Sequence, residues 1–223
     1  FVQKSFINQW RYSGGEITDG IRAASVPPHA KTLAVHQSKP MSAILTDMNK
    51  YSNNLIARSV FLKLGGEHSG NSALQQASSA VKRELATAGL DTENVVLENG
   101  SGLSRRERVS ANMLAQMLEK AYFSPFKQDF IDTLPIAGKD GTLKYRLKQA
   151  GPALRLKTGT LKDVRALAGY WLGDKPMIVV VVIISPNASN YLNDFDKLVS
   201  KIVQPGGDSL LDAKMKCAER MEA

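Results

Sequence analysis

The chain has 223 residues, 43% of them hydrophobic and 22% charged, with a formal net charge of +8. That is room for one sizeable core, or for one domain with an appended lobe, in a globular protein carrying a surface excess of lysine. Neither basic cluster (Arg105, Arg106 and Arg108; Lys144, Arg146 and Lys148) is interleaved with stacking aromatics as a nucleic-acid groove would be, so no nucleic acid is expected as a partner.

Phe1 to Trp10 has helical spacing, with Phe6 and Trp10 four apart, and Ser13-Gly14-Gly15 breaks it. Gly20 to His29 reads as irregular, closed by Pro27-Pro28, and Thr32 to His36 as a short strand. After Pro40, Met41, Ile44, Leu45 and Met48 share one helical face; Asn49 to Asn53 interrupts it, and Leu55 to Leu64 resumes it up to the Gly65-Gly66 cap. Asn71 to Ala88 is a third helix in this run, capped by Gly89. Val95 to Leu97 predicts a short strand entering the glycine-rich turn Glu98-Asn99-Gly100-Ser101-Gly102. Ser110 to Tyr122 predicts a helix with Ser110 as N-cap, Phe126 to Leu134 another, and Gly138 to Gly141 a turn.

Strands are predicted over Ala153 to Leu161, Arg165 to Leu172 and Met177 to Ser185. The last is rich in β-branched residues and apolar on both faces, as a central strand covered by helices would be. Tyr191 to Val203 is an amphipathic helix; residues 208–223 read as a terminal helix, a disordered tail or an appended remnant. We expect Thr32 to Gln37 to join the three later strands in one antiparallel sheet, with the Ser52 helices in a separate α-rich lobe against one sheet edge.

Cys217 is the only cysteine, so no internal disulfide can form. His29, His36 and His68 lack metal-ligand spacing, and neither a metal nor a cofactor is expected. Ile178 to Ile184 is too short to span a bilayer. The chain opens at Phe1-Val2-Gln3-Lys4 with no initiator methionine and no signal-peptide pattern, as a processed or excised piece would.

Two short motifs carry chemistry. Ser52-Asn53-Asn54 is a Ser-x-Asn, and Lys157-Thr158-Gly159 is a Lys-Thr-Gly well downstream of it. In this order they match two of the three active-site signatures of serine β-lactamases and penicillin-binding proteins. Ser52 and Asn54 share a cleft only if the backbone between the two helices turns; the bland alternative is that they cap the second helix. Gly159 within a strand suits close approach of another backbone, as when a peptide is laid along the strand edge. Lys157 then places a positive charge in the cleft, the Thr158 hydroxyl meets a substrate carboxylate, and the backbone N–H of Thr160 points at a developing oxyanion. The bland alternative is an ordinary hairpin with a surface lysine.

The third signature, Ser-x-x-Lys, should precede the others, and none lies upstream of Ser52. Ser79 with Lys82 and Ser124 with Lys127 have the spacing but the wrong order, and both read as chance matches.

These residues resemble the S13 peptidase family, the class C low-molecular-mass penicillin-binding proteins. His36-Gln37-Ser38-Lys39-Pro40, then Ile44-Leu45 and Met48 to Asn54, is similar to that family's approach to its second motif. Glu98-Asn99-Gly100-Ser101-Gly102-Leu103-Ser104 resembles its Gly-Ser-Gly turn, and Lys157-Thr158-Gly159-Thr160 its third motif. The resemblance runs from about residue 1 to 205 and implies a penicillin-binding-protein/serine β-lactamase-like transpeptidase fold of the α/β (α+β) class, an antiparallel sheet flanked by helices with an α-rich lobe. Residues 1–207 would be the C-terminal part of a D,D-peptidase catalytic domain, its lobe over 41–135 and its sheet over 30–38 and 150–204, followed by the tail 208–223.

The resemblance also implies a periplasmic or cell-wall enzyme that acts on peptidoglycan peptides ending in D-Ala-D-Ala through an acyl-serine and is inhibited by β-lactam antibiotics. Ser52 would relay a proton to the leaving amine. Asn54 would hold the substrate carbonyl and contact the lysine of the absent motif. Lys157 would supply electrostatics, Thr158 and Thr160 would bind the carboxylate, and Gly159 would let the peptide approach. The nucleophile would come from an N-terminal segment of the same polypeptide. The other readings are a serine β-lactamase and a non-catalytic peptidoglycan-binding module.

Overall fold

A computed structural model describes residues 2–17, 23–32, 34–66 and 71–203; His68, Cys217 and the tail 208–223 lie outside them. The chain divides into two compact units, Phe1–Ser38 and Lys39–Ala223. In the first, helix α1 (Val2–Tyr12) stacks Phe6 on Trp10, ring centroids 6.0 Å apart and planes 20° from parallel. Gly14 ends it with φ of 83°, and the Trp10 indole N–H donates to the Glu16 carbonyl at 3.2 Å. The strand expected over Thr32 to His36 is not formed: no described residue of 30–38 belongs to a strand, and Val35 is exposed. Leu33 and Val35 are the only large apolar residues in that stretch, too few to hold a strand by burial.

The second unit opens with α2 (Met41–Lys50) and α3 (Asn54–Leu64), so the first helix runs through Lys50 and the break narrows to Tyr51–Asn53. Gly66, at φ of 84°, closes α3 as expected, its N–H donating to the Lys63 carbonyl at 3.1 Å. Next come α4 (Asn71–Thr87), α5 (Ala111–Tyr122) and α6 (Lys127–Thr133). The hydroxyl of Ser110 caps α5 by accepting the Met113 N–H at 3.0 Å. The predicted strand Val95 to Leu97 is reduced to a single bridge, Val96 to Arg108.

Strands β1 (Leu154–Leu161), β2 (Val164–Trp171) and β3 (Met177–Ile184) form an antiparallel meander, followed by α7 (Leu192–Ile202). Alternation along each strand builds two cores. On one face Leu154, Leu156, Leu167 and Val179 meet Phe195 and Val199 of α7. On the other, Tyr170 meets Leu118 of α5 and Ile131 of α6, with Ile178 and Val180 packed against them. The helices of the lobe therefore cover a face of the sheet through α5 and α6, where an edge contact was expected.

β3 also departs from expectation, lying at the end of the sheet among the described residues rather than at its centre. Its first half packs against helices on both faces while Val182 and Ile184 stay exposed, and neither fact bears on lateral pairing. The centre is β2, where a Cβ on Gly169 would meet the Arg155 carbonyl oxygen at 2.2 Å.

The Tyr170 hydroxyl donates to the Leu118 carbonyl at 2.7 Å, tying α5 to the sheet. Burial first, and neighbouring Tyr122 second, push its pKa up to about 12. The basic cluster at 144–148 does carry an aromatic, contrary to expectation: Tyr145 is exposed, with the ammonium groups of Lys144 and Lys148 at 5.4 and 5.9 Å from its ring centroid.

Candidate active site

Ser52 sits in the turn between α2 and α3 with φ of 51°, a left-handed conformation that costs an L-residue about 1–2 kcal/mol. The turn exists because Asn53 begins the next helix. The Asn53 side-chain oxygen accepts the N–H groups of Leu55 and Ile56 at 3.1 and 3.0 Å, while its own N–H donates to the Met48 carbonyl at 3.0 Å. The cap of α3 is thus Asn53, and neither Ser52 nor Asn54 is spent on capping. Asn54 is the exposed first residue of α3.

Lys157 is on β1, paired with Ala168 on the face that carries the lobe helices. Its ammonium donates to the Ser52 hydroxyl oxygen at 2.6 Å and to the Thr158 carbonyl at 2.7 Å. Three donors belong to an ammonium group, so one is left for a ligand. Burial lowers the Lys157 pKa, and among the described residues no carboxylate pairs with it. A half-buried cation without a counter-ion favours an incoming anion.

Alternation sends the Thr158 side chain to the other face, where its hydroxyl meets that of Thr142 at 2.9 Å. Thr160 is exposed. The structure brings Ser52 and Lys157 together, and among the described residues no side-chain hydrogen bond joins Asn54 or Thr160 to either. Gly159 faces Ala166, and a Cβ there would lie 3.2 Å from the Ala166 Cβ.

The edge of β1 changes character at Lys157. Before it the edge is covered: Leu156 N–H donates to the Pro135 carbonyl at 3.0 Å and Ala137 N–H to the Leu154 carbonyl at 2.9 Å. An antiparallel ladder alternates, so the N–H groups of Thr158 and Thr160 point the same outward way as that of Leu156. Beyond Leu156 that side of β1 carries no strand partner among the described residues.

The end of α2 is fastened to the segment that covers β1. Lys50 Nζ donates to Asp140 Oδ2 at 2.5 Å and to the Leu134 carbonyl at 3.2 Å, with its side chain only 13% exposed. Asn49 Nδ2 donates to Thr133 Oγ1 at 2.7 Å, and the Ile136 N–H donates to Asp140 Oδ1 at 2.8 Å. Lys50 and Asp140 are not among the residues the sequence marks for function: the first falls in the helix break and the second in the turn Gly138 to Gly141. Their signal was weak: a lysine ending an apolar helix and an aspartate between glycines.

The glycine-rich turn stands on Phe61, since a Cβ on Gly100 would lie 2.3 Å from the Phe61 Cβ. Asn99 Oδ1 accepts from Ser101 N–H at 2.9 Å, and Arg105 is paired with Asp163 at 2.6 Å, which ties this loop to the β1–β2 turn. Ser79 is exposed on α4. The Ser124 hydroxyl donates to the Ala121 carbonyl at 2.9 Å and accepts the Phe126 N–H at 3.2 Å, while Lys127 lies over the Tyr122 ring at 3.5 Å. Neither pair makes an activated nucleophile.

The fold is of the penicillin-binding-protein α/β type. The structure of penicillin binding protein 4 (dacB) from Haemophilus influenzae, complexed with a novel β-lactam, superposes with a TM-score of 0.68 at 31% identity, over 83% of this chain and 44% of that one. Residues 1–205 match the D-Ala-D-Ala carboxypeptidase 3 (S13) family, and the chain belongs to it. A D-alanyl-D-alanine carboxypeptidase of Actinomadura sp. (strain R39) is 36% identical over 148 residues, 63% of this chain and 28% of the relative. The D-alanyl-D-alanine carboxypeptidase DacB of H. influenzae is 35% identical over 167 residues, 73% of this chain and 35% of the relative. The chain thus spans about a third of the length of these curated relatives.

Proposed function

We propose that this chain is part of a serine-type D-alanyl-D-alanine carboxypeptidase/endopeptidase that acts on peptidoglycan stem peptides and is inhibited by β-lactams. The observation that carries this reading is the 2.6 Å contact between Lys157 Nζ and Ser52 Oγ beside an uncovered strand edge. Because Ser52 Oγ accepts from Lys157, its own O–H is free to be donated to the leaving amine. The unmatched ammonium suits the carboxylate of a peptide ending in D-Ala-D-Ala. The outward N–H groups of Thr158 and Thr160 suit a peptide added along β1, and the latter suits an oxyanion. Asn54, in the exposed first turn of α3, would reach a substrate carbonyl.

The nucleophile and its lysine would come from a segment of the same polypeptide outside these residues. Such an enzyme works where stem peptides are, in the periplasm or cell wall. The family membership and the relatives named carboxypeptidases support this reading over a β-lactamase.

Intact-mass spectrometry with benzylpenicillin tests it. Residues 1–223 alone should gain no covalent adduct, and one inhibitor mass should appear when the segment bearing Ser-x-x-Lys is supplied. An adduct mapped to Ser79 or Ser124 would refute the assignment. No adduct in either case would favour a binding module, and an adduct hydrolysed within seconds rather than hours would favour a β-lactamase.

A further inference from the structure

We propose that Lys50 and Asp140 are positioning residues: their ion pair, with the Asn49–Thr133 bond, locks the end of α2 to the segment 133–142 and so holds Ser52 against Lys157. This rests on the reading above for what the Ser52–Lys157 contact is used for. Segment 133–142 reaches the end of α2, just before the first motif, and β1, which carries the second. On one side it takes Asn49 through Thr133 and Lys50 through Leu134 and Asp140. On the other it covers β1 through Pro135 and Ala137 and meets Thr158 through Thr142. The last covered position, Leu156, directly precedes Lys157. Ser52 and Lys157 therefore hang from one segment by short arms, two residues from Lys50 and one residue from Leu156.

The close approach is built into the backbone. Gly141, at φ of 53°, comes so near to the end of α2 that a Cβ there would lie 2.5 Å from the Lys50 carbonyl oxygen. A partly buried ion pair contributes little net stability compared with apolar groups of the same shape, so stability alone is a poor reason for Lys50–Asp140. Geometry is the better one, because misplacing a reacting group by about 1 Å can cost about a hundredfold in rate. The pair also cancels the charge of Lys50, leaving Lys157 as the lysine at this turn whose charge is unmatched among the described residues.

The test follows the Lys157 ammonium itself, by proton–nitrogen NMR of the complete polypeptide labelled with 15N-lysine, its signal identified by loss in Lys157→Arg. Held by Ser52 and Thr158, its protons should be protected from water in the wild-type chain. The signal should disappear in Lys50→Met and in Asp140→Asn while the amide spectrum stays folded, and it should return in Lys50→Arg. A Lys157 signal that persists in both variants, that Lys50→Arg does not restore, or that is missing from the wild type would overturn the proposal. Should one variant unfold, the other decides; unfolding of both would mark the pair as support for the whole fold and overturn it equally. No substrate is used, so the outcome is independent of the penicillin experiment, which alone tests the D-alanyl reading.

Discussion

Lys157 Nζ and Ser52 Oγ lie 2.6 Å apart, the first on a strand, the second in a left-handed turn between helices. The contact joins a side chain from the sheet to one from the α-rich lobe. It is also asymmetric in charge, since burial lowers the Lys157 pKa and no carboxylate compensates it among the described residues.

Function and stability should part company at this lysine. In the polypeptide that carries the nucleophile, Lys157→Ala or Lys157→Met should slow acylation by about a hundredfold, the scale of one preorganised electrostatic contact. Lys157→Met should fold at least as stably as the wild type, because it removes a partly desolvated cation and keeps the apolar stem. Second-order rates with a labelled β-lactam and urea unfolding measure the two. An acylation rate within a few-fold of wild type would reduce Lys157 to a surface charge.

The left-handed turn gives a second expectation. Ser52→Ala and Ser52→Gly both lose the hydroxyl, but only glycine escapes the penalty of the positive φ. Ser52→Gly should therefore be the more stable of the two by about 1 kcal/mol. Equal midpoints in denaturant would mean that the turn relaxes when the hydroxyl is removed.

Gly141→Ala should be among the more damaging single-methyl changes in the chain. The added carbon collides with the Lys50 carbonyl and sits at a positive φ, so a loss of about 1–3 kcal/mol is expected. Gly102 also has a positive φ but open space around it, so Gly102→Ala isolates the conformational part. If Gly141→Ala loses no more than Gly102→Ala in urea unfolding, the contact with Lys50 is looser than its geometry implies.

Tyr170 sets an alkaline limit. Its folded pKa is raised to about 12 from an ordinary value of 10.0, so unfolding releases a proton between those values. The stability it supports is whole below about pH 10 and is lost as the pH rises towards 12. Tyr170→Phe should start lower by about 1 kcal/mol, for the lost bond to Leu118, and should show a flatter decline over that range. Parallel pH curves for the two proteins would contradict this.

Much of this was legible from residues. Period and caps located α2 to α7 and all three strands, because Gly65-Gly66, Gly89, Ser110 and Pro135 punctuate strongly periodic segments. The convergence of Ser52 and Lys157 followed from the match of the two motifs, in order and spacing, to known active-site signatures. What stayed hidden depends on neighbours distant in the chain. The stretch Thr32 to His36 has local strand character, yet none of its described residues is in a strand. The place of β3 in the sheet is a matter of pairing, which side-chain pattern does not encode. Lys50 and Asp140 look like solvent-facing charges until the fold turns them toward each other.

The uncovered stretch of β1 has a consequence for self-association. A free strand edge is a template for any extended chain, including a second copy of the same protein. Here the exposed length is short, and it is bounded by Lys157 at one end and Lys162 at the other. Two copies laid antiparallel along it would bring each Lys157 close to the other's Lys162, and like charges placed opposite each other oppose pairing. A peptide whose carboxylate lay at Lys157 would instead meet that cation as attraction. Under the proposed reading, the edge would thus tell a ligand from a twin by the sign of the charge brought to Lys157.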